Sequence, residues 1–568
     1  MPRSVYILCM LDNGSSSWLY FSLYHLSVCS VQCTLYTNGL EAYRLPMFLG
    51  RNGNLGSMVR FDVPYPLAVS HISIGILPEL LKGQAAEIDF KWQDQYGDVV
   101  RVRAPLGIPR RFNTYSKPSG YRFIKPPGRK EIGRLLNGAG ILFVEGEDHK
   151  RHRKVLLPGF GGPEAKFYVP VFFTHAGKMV SKWREIISAT EEQSVVIDIP
   201  SWTSRATLDA IGEAAFDYQF GALDDSAKPL TKAYTNLLFD TFSAATDNST
   251  LSFCLMDWLP KWIVRLFVWH APFKRLEHLR MSHDLTRQVA RQLLTEKYEA
   301  LAADKPKRDI MSLLVKANVS ENPKTQLSEE ELLSQMNTIM FAGHETTANT
   351  LSWTFLELAR HPEVQDKLRV EIKEKERVIF ARGDTEFSVQ DLDSMPYLTA
   401  VVKEVLRFHP IVYNIARTAA HDDVLPLNKP VTLTTGKVVQ EIAIPKGIFI
   451  VASIAGYNRN KSVWGEDAHV FDPERWFRGN ATKEVPVGVY GNLFSFAGGL
   501  RSCIGWRFAV LELHAFITEV VNNFEFSLTK ESEHIRREAC GVMAPTVEGQ
   551  MGKGSQLPLR IAFASSSD

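Results

Sequence analysis

The sequence predicts a mainly α fold with a small β region, and three observations carry that class. Residues 165–300 hold a helical apolar period, with breaks near Gly221 and Asn248. A second helical run starts at Leu327-Ser-Glu-Glu and continues to about Arg360, where His361-Pro362 ends it. Strand-like patterns are short and scattered, at 98–103, 431–439 and 442–451 and in the tail 525–568.

At 568 residues the chain is long enough to bury a large core. Hydrophobics at 45% and charged residues at 23% read as globular rather than disordered. A net charge of +2 gives no bulk case for nucleic-acid binding. Six cysteines, Cys9, Cys29, Cys33, Cys254, Cys503 and Cys540, are too scattered for a disulfide framework and point to a reducing compartment. No internal repeat or low-complexity tract is evident.

Residues 1–43 contain a stretch, 17–36, without Asp, Glu, Lys or Arg. Its length suits a membrane span, but Ser, Tyr, Gln, Thr and His dilute the Leu and Val. It reads either as an anchor or as an incorrectly assigned gene start. His25, Cys29 and Cys33 recur every four residues, as a metal site or as small residues on one helical face. Residues 44–84 are an irregular Pro- and Gly-containing lead-in, and 85–568 form the main domain.

Glu87 to Tyr96 reads as a helix that Gly97 breaks before the strand at 98–103. The next piece, Ile108 to Pro118, is too short for both a second strand and a helix. Residues 147–157 are a basic helix stopped by Pro158, with His149 and Arg153 on one face. Lys150, Arg151 and Lys154 lie elsewhere on it, as a solvated face or as a lure for an acidic partner. The aromatic, apolar and basic segment 258–273 suits a buried helix, a pocket entrance or a membrane interface.

The long helix carries Ala342-Gly-His-Glu-Thr-Thr347. A mid-helix Gly costs roughly 1 kcal/mol against Ala. Consecutive β-branched hydroxyl residues add to that. A helix that gives up stability here is a candidate functional site. Further on, 391–409 reads as a helix with Glu404 and Arg407 on one face. Two strand–turn–strand patterns follow at 431–439 and 442–451. Phe496-Ala-Gly-Gly-Leu-Arg-Ser-Cys-Ile-Gly505 then opens a helix over 505–524. That stretch suits a cysteine that ligates iron as thiolate. Backbone N–H groups at the helix start can point at the sulfur, and Gly499 and Gly505 allow a tight turn near a flat group.

This stretch resembles the haem-binding signature of the cytochrome P-450 family at all five positions, Phe496, Gly499, Arg501, Cys503 and Gly505. The resemblance extends to three further motifs in family order and covers about residues 85–565, in a eukaryotic, fungal style. It implies the cytochrome P-450 fold, a mainly α domain with a small β region around one buried haem b. Cys503 would be the axial iron ligand, and a thiolate there favours O–O cleavage. Phe496 would shield the sulfur. Arg501, His149, Arg153 and Arg417 would reach the propionates. Ala342 and Gly343 would leave room for O2, Thr346 would hold oxygen and an ordered water, and Glu345 would relay protons. Glu404 and Arg407 with Arg475 of the Pro-Glu-Arg motif would form a structural trio behind the haem.

The implied reaction is a monooxygenation of a hydrophobic small molecule: a secondary metabolite, a terpenoid or steroid, or an aromatic xenobiotic. NADPH would supply electrons through a separate flavoprotein reductase, with cytochrome b5 as a second candidate donor. Two rivals are a peroxide-rearranging haem-thiolate enzyme and a catalytically impaired haem-binding protein. The implied location is the endoplasmic reticulum membrane, with the catalytic domain facing the cytosol. Pocket walls would come from segments near 121–145, 230–275, 335–347, 410–416 and 540–546, largely apolar. Asn13, Asn248, Asn318, Asn460 and Asn480 sit in glycosylation sequons that carry little weight in a cytosol-facing domain.

Overall fold

A computed structural model describes residues 5–8, 20–23, 83–103, 109–113, 121–126, 130–224, 228–243, 259–305, 308–319, 322, 326–432, 436–478 and 487–565. Val5–Leu8 and Tyr20–Leu23 pair antiparallel in a unit of their own. Apart from that second strand, the stretch 17–36 with His25, Cys29 and Cys33 lies outside the described residues. Among the described residues no helix is long and apolar enough to cross a membrane.

The molecule is arranged around the Glu329–Arg360 helix. Its start is fixed by a capping box. Ser328 Oγ accepts the Glu331 N–H (3.3 Å), and Glu331 Oε2 accepts the Ser328 N–H (2.8 Å). Glu331 also receives Arg151 and His152 Nε2 (3.0 Å), which ties the Gly146–Leu156 helix to the same end. Arg151 is therefore committed to this internal pair rather than free for a partner.

From 347 to 359 every residue of the long helix is buried. Such a helix must satisfy its polar side chains internally. The hydroxyls of Thr346, Thr350, Ser352 and Thr354 do so by donating to carbonyls four residues back, at 2.8–2.9 Å. The helix stays continuous through Gly343. The Ile199–Phe216 helix packs along one flank, and the Trp506–Asn523 helix and Phe524–Leu528 strand along another.

The β structure is small and lies in several pieces. One five-stranded sheet runs in the order Val99–Arg103, Pro109–Asn113, Phe449–Ser453, Asn414–Ala419, Phe123–Ile124. Its middle pair, Pro109–Asn113 with Phe449–Ser453, is parallel, and the other neighbours are antiparallel. The short segment after 103 thus does supply the second strand. Whether a helix also follows lies outside the described residues, which omit 114–120.

Two other expectations are corrected. Asp423–Thr432 pairs with Val438–Ile444 as one long hairpin, while Phe449–Ser453 leaves for the five-stranded sheet. So 442–451 is not a hairpin of its own; its halves serve different sheets. Ser194–Asp198 is a strand inside the supposedly all-helical 165–300, pairing with Pro558–Phe563 from the far end of the chain. Two sequons are closed: Asn318 and Asn460 are buried, and their side chains bond to Leu327 and to Asp98 with Ser462.

Candidate active site

The loop before Cys503 is pinned from behind. Asn458 Oδ1 accepts the Phe494 N–H (3.0 Å), and its Nδ2 donates to Ser495 Oγ (2.8 Å). The chain then turns through Gly499 at φ +70°, a left-handed conformation that suits glycine. The Cys503 N–H closes the loop on the Phe496 carbonyl (2.8 Å). Gly505 has φ −91°, open to any residue, and a Cβ there would only touch Phe160 at 3.6 Å; the turn does not demand it. Burial raises the Cys503 thiol above its usual range, while the Gly505 amide and the Arg153 guanidinium act in the opposite direction. Yet the Cys503 side chain is accessible. The thiol is thus open to contact by a bound group, with the Arg153 guanidinium on the neighbouring Ser502.

Cationic groups gather beside it. Arg153 donates to the Ser502 carbonyl (2.8 Å) and to Ser502 Oγ (3.2 Å). Arg501 pairs with Glu145 and donates to the Phe123 carbonyl (2.8 Å). Its guanidinium also lies over the Tyr121 ring. His149 is buried, with Nδ1 2.9 Å from the Tyr121 hydroxyl. Burial, then Lys125, Arg501 and Arg153, holds it down to about 4, so it is neutral at pH 7. Arg417 donates to the Ala416 carbonyl, and burial followed by repulsion from Arg501 lowers it to about 10. Arg417 and Arg501 line one apolar-walled cavity of about 50 Å³. Arg501 is matched by Glu145, while burial of the Arg417 guanidinium is costly and favours an anion beside it. The donor set fits a haem: a thiol for the iron and arginines for the carboxylates.

Elsewhere along the long helix, Thr346 Oγ donates to the Ala342 carbonyl (2.8 Å), which leaves its lone pairs free to accept. Glu345 is 8% exposed, and burial pushes its carboxyl up to about 7, opposed by Asn349. Asn349 Nδ2 donates to Glu345 Oε2 (3.1 Å). A carboxyl balanced near pH 7 can both hold and release a proton. Gly343 has a packing reason as well: a Cβ there would lie 2.7 Å from Ile211 on the Ile199–Phe216 helix.

The trio closes as the spacing suggests. Arg407, fully buried, forks onto Glu404 (2.8 and 2.9 Å), and Arg475 Nε reaches Glu404 Oε1 at 3.1 Å. Trp476 Nε1 and the Asp472 N–H complete the carboxylate. Arg407 also donates to the Asn458 carbonyl (3.0 Å). The trio therefore supports the residue that pins the cysteine loop.

A second cavity, about 630 Å³, lies beside Glu345, Ala348, Asn349 and Ser352 of the long helix. Its walls are Leu238, Phe239, Cys540, Val542 and Ala544, together with polar residues from 198–205 and 553–556. This cavity is mixed in character rather than largely apolar; of the five expected wall segments it draws on 230–275, 335–347 and 540–546, not on 121–145 or 410–416, and the pieces 198–205 and 553–556 were not anticipated. Tyr121, Glu145 and Asn349 were missed as well. Tyr121 and Glu145 act through partners chosen by the fold, which no local spacing marks, whereas Asn349 lies four residues after Glu345 on one helix face, a spacing that could have found it.

Cys503 with Arg153, Arg417 and Arg501, and an acid and a hydroxyl side by side on the long helix, offer the donors that a haem-thiolate site would need. A sequence profile of the cytochrome P-450 family matches residues 74–552, and the chain belongs to that family, whose cofactor is haem iron. It is 34% identical over 507 residues to cytochrome P-450 monooxygenase 205 of Postia placenta, covering 86% of this chain and 90% of that one. It is 33% identical to monooxygenase 128 of the same fungus, covering 88% and 91%. A ganoderic acid synthetase of Ganoderma lucidum is 34% identical, covering 81% and 86%. The relatives are fungal monooxygenases, and this chain is an enzyme of that class.

Proposed function

We propose that this enzyme inserts one atom of O2 into a C–H bond of a hydrophobic secondary metabolite. Two electrons and two protons reduce the other atom to water. NADPH supplies the electrons through a separate flavoprotein reductase. When bound, the haem supplies the oxygen-activating chemistry. Cys503 presents the thiolate, while Arg417, Arg153, Arg501 and His149 orient the cofactor's carboxylates. Glu345 takes a proton from solvent and would pass it on through an ordered water that hydrogen-bonds to the free lone pairs of Thr346. Glu404, Arg407 and Arg475 stay structural. One relative is named a ganoderic acid synthetase, which favours a secondary metabolite as the substrate class.

The observation that carries this reading is the accessible Cys503 thiol on the loop that Asn458 pins, with Arg153 bonded to the adjacent Ser502. The peroxide-rearranging alternative needs no proton relay, and Glu345 with Thr346 argues against it. The short segment after residue 103, which would favour the impaired-protein alternative, does carry a paired strand at Pro109–Asn113. For location we propose the endoplasmic reticulum membrane, catalytic domain towards the cytosol. The exposed Trp262, Leu266 and Phe267 of the Lys261–His270 helix offer an apolar face to lipid.

The test is the carbon monoxide difference spectrum of the reduced protein beside Cys503→His. The strongly red-shifted thiolate band in the parent, lost in the variant, is expected. A parent that holds no haem, or shows the histidine-type band, overturns the assignment.

A further inference from the structure

Two arginines away from the cysteine loop are buried without an anion. Arg459 follows the Ile454–Asn458 helix and is 7% exposed. Its Nε and Nη1 are shut from solvent and find no acceptor. Its Nη2 has only a long bond, 3.5 Å, to the His469 carbonyl. Arg537, on the Ile535–Ala539 strand, also keeps a buried Nε without an acceptor. Burial, then repulsion from Arg537 and Arg407, lowers Arg459 to about 9, and burial lowers Arg537 as well.

The neighbouring carboxylates are committed elsewhere. Glu404 holds Arg407 and Arg475. Glu357 takes His409 Nε2 (2.8 Å) and Arg360 (3.1 Å). Glu87 accepts the Gln84 N–H (2.9 Å). Among the described residues, neither Arg459 nor Arg537 enters an ion pair. Aromatic rings offset part of the cost. The Arg459 guanidinium lies 3.9 Å from the centre of the Phe408 ring and 4.7 Å from that of Phe90, and Arg537 lies 5.8 Å from Phe90. Ring faces attract a cation, but they leave the N–H groups at its rim unmet. Two desolvated guanidiniums around one ring favour a counter-ion.

We propose that Arg459 and Arg537 bind a monatomic anion of chloride size beside Phe90. The ion accepts the free N–H groups of Arg459 and the Nε–H of Arg537. The donors are closed to bulk water, and a spherical ion accepts hydrogen bonds from any direction, whereas a carboxylate needs room for its skeleton. The ion joins three stretches far apart in sequence. These are the Glu87–Tyr96 helix through Phe90, the residue next to Asn458, and the Ile535–Ala539 strand, where the Arg537 carbonyl already accepts the Ala85 N–H (2.7 Å). No step of the monooxygenase reading uses it, so the two stand or fall separately. His409 Nδ1 is also buried and unpaired, which makes a water between it and Arg537 the rival occupant.

The test uses the full-length, haem-loaded protein. Thermal unfolding is followed in sodium chloride, sodium bromide and sodium gluconate at equal ionic strength. Both halides are expected to raise the unfolding midpoint saturably above its value in gluconate, as a ligand of the folded state does. Arg459→Leu is expected to abolish that effect, and Arg537→Gln to raise the halide concentration needed by about tenfold. An unchanged carbon monoxide band shows that a variant keeps its fold and haem site. If Arg459→Leu fails to fold, Arg537→Gln, at a partly exposed residue, carries the comparison. In bromide-soaked crystals an anomalous peak is expected against Arg459 Nε and Arg537 Nε. Equal midpoints in halide and gluconate, a halide effect that outlasts the variants, or water at that position without a bromide signal each overturns the proposal.

Discussion

Among individual residues, Glu345 bears the largest functional cost. It is a carboxyl buried in the middle of a helix; His344, 3.9 Å away, is held neutral at pH 7 by burial, and the Asn349 amide supports the carboxyl's charge. Its folded value, about 7, lies above the ordinary 4.5. Below the ordinary value both folded and unfolded chains hold the proton, and nothing is lost. As pH rises towards 7 the unfolded chain releases it and the folded chain does not, so stability declines across that window. Glu345→Gln removes the penalty. It should stabilise the protein by roughly 1–3 kcal/mol above pH 7 and by nothing near pH 4, read by urea unfolding at both ends. An equal effect at both pH values would show that the carboxyl is ionised throughout.

At the level of elements, the long helix and the Ile199–Phe216 helix meet where Gly343 faces Ile211. Gly343→Ala should therefore destabilise the protein by about 1–3 kcal/mol through overpacking, despite its better helix propensity. Ile211→Ala in the same chain should restore part of that, measured as a double-mutant cycle in thermal unfolding. Purely additive losses would mean the two helices do not touch there. The sequence marked Gly343 as unusual but assigned it only to oxygen. A close approach between two helices more than a hundred residues apart leaves no trace in local spacing. The capping box at Ser328 was legible, because its signal is local. The strand at Ser194–Asp198 was not, since its partner lies at the other end of the chain.

Across the whole molecule, what the sequence revealed was motif chemistry, and what it concealed was who supports whom. Cys503, Glu404, Arg407 and Arg475 were readable because fixed spacings carry them. Glu145, Tyr121 and the polar side of the large cavity were not, because their partners are set by tertiary packing. Asn458 is the clearest case. It lies in a five-residue helix with no motif, yet it joins the Arg407 carboxylate network to the cysteine loop through Phe494 and Ser495. Seen from the bench, this makes pigment a gauge of architecture. Asn458→Ala should yield a paler protein, with a lower ratio of haem to polypeptide, while its thiol titre stays that of the parent. A full complement of colour in that variant would show that the loop holds itself. A washed-out preparation from a mutant library thus reports a slack tether as readily as a missing sulfur.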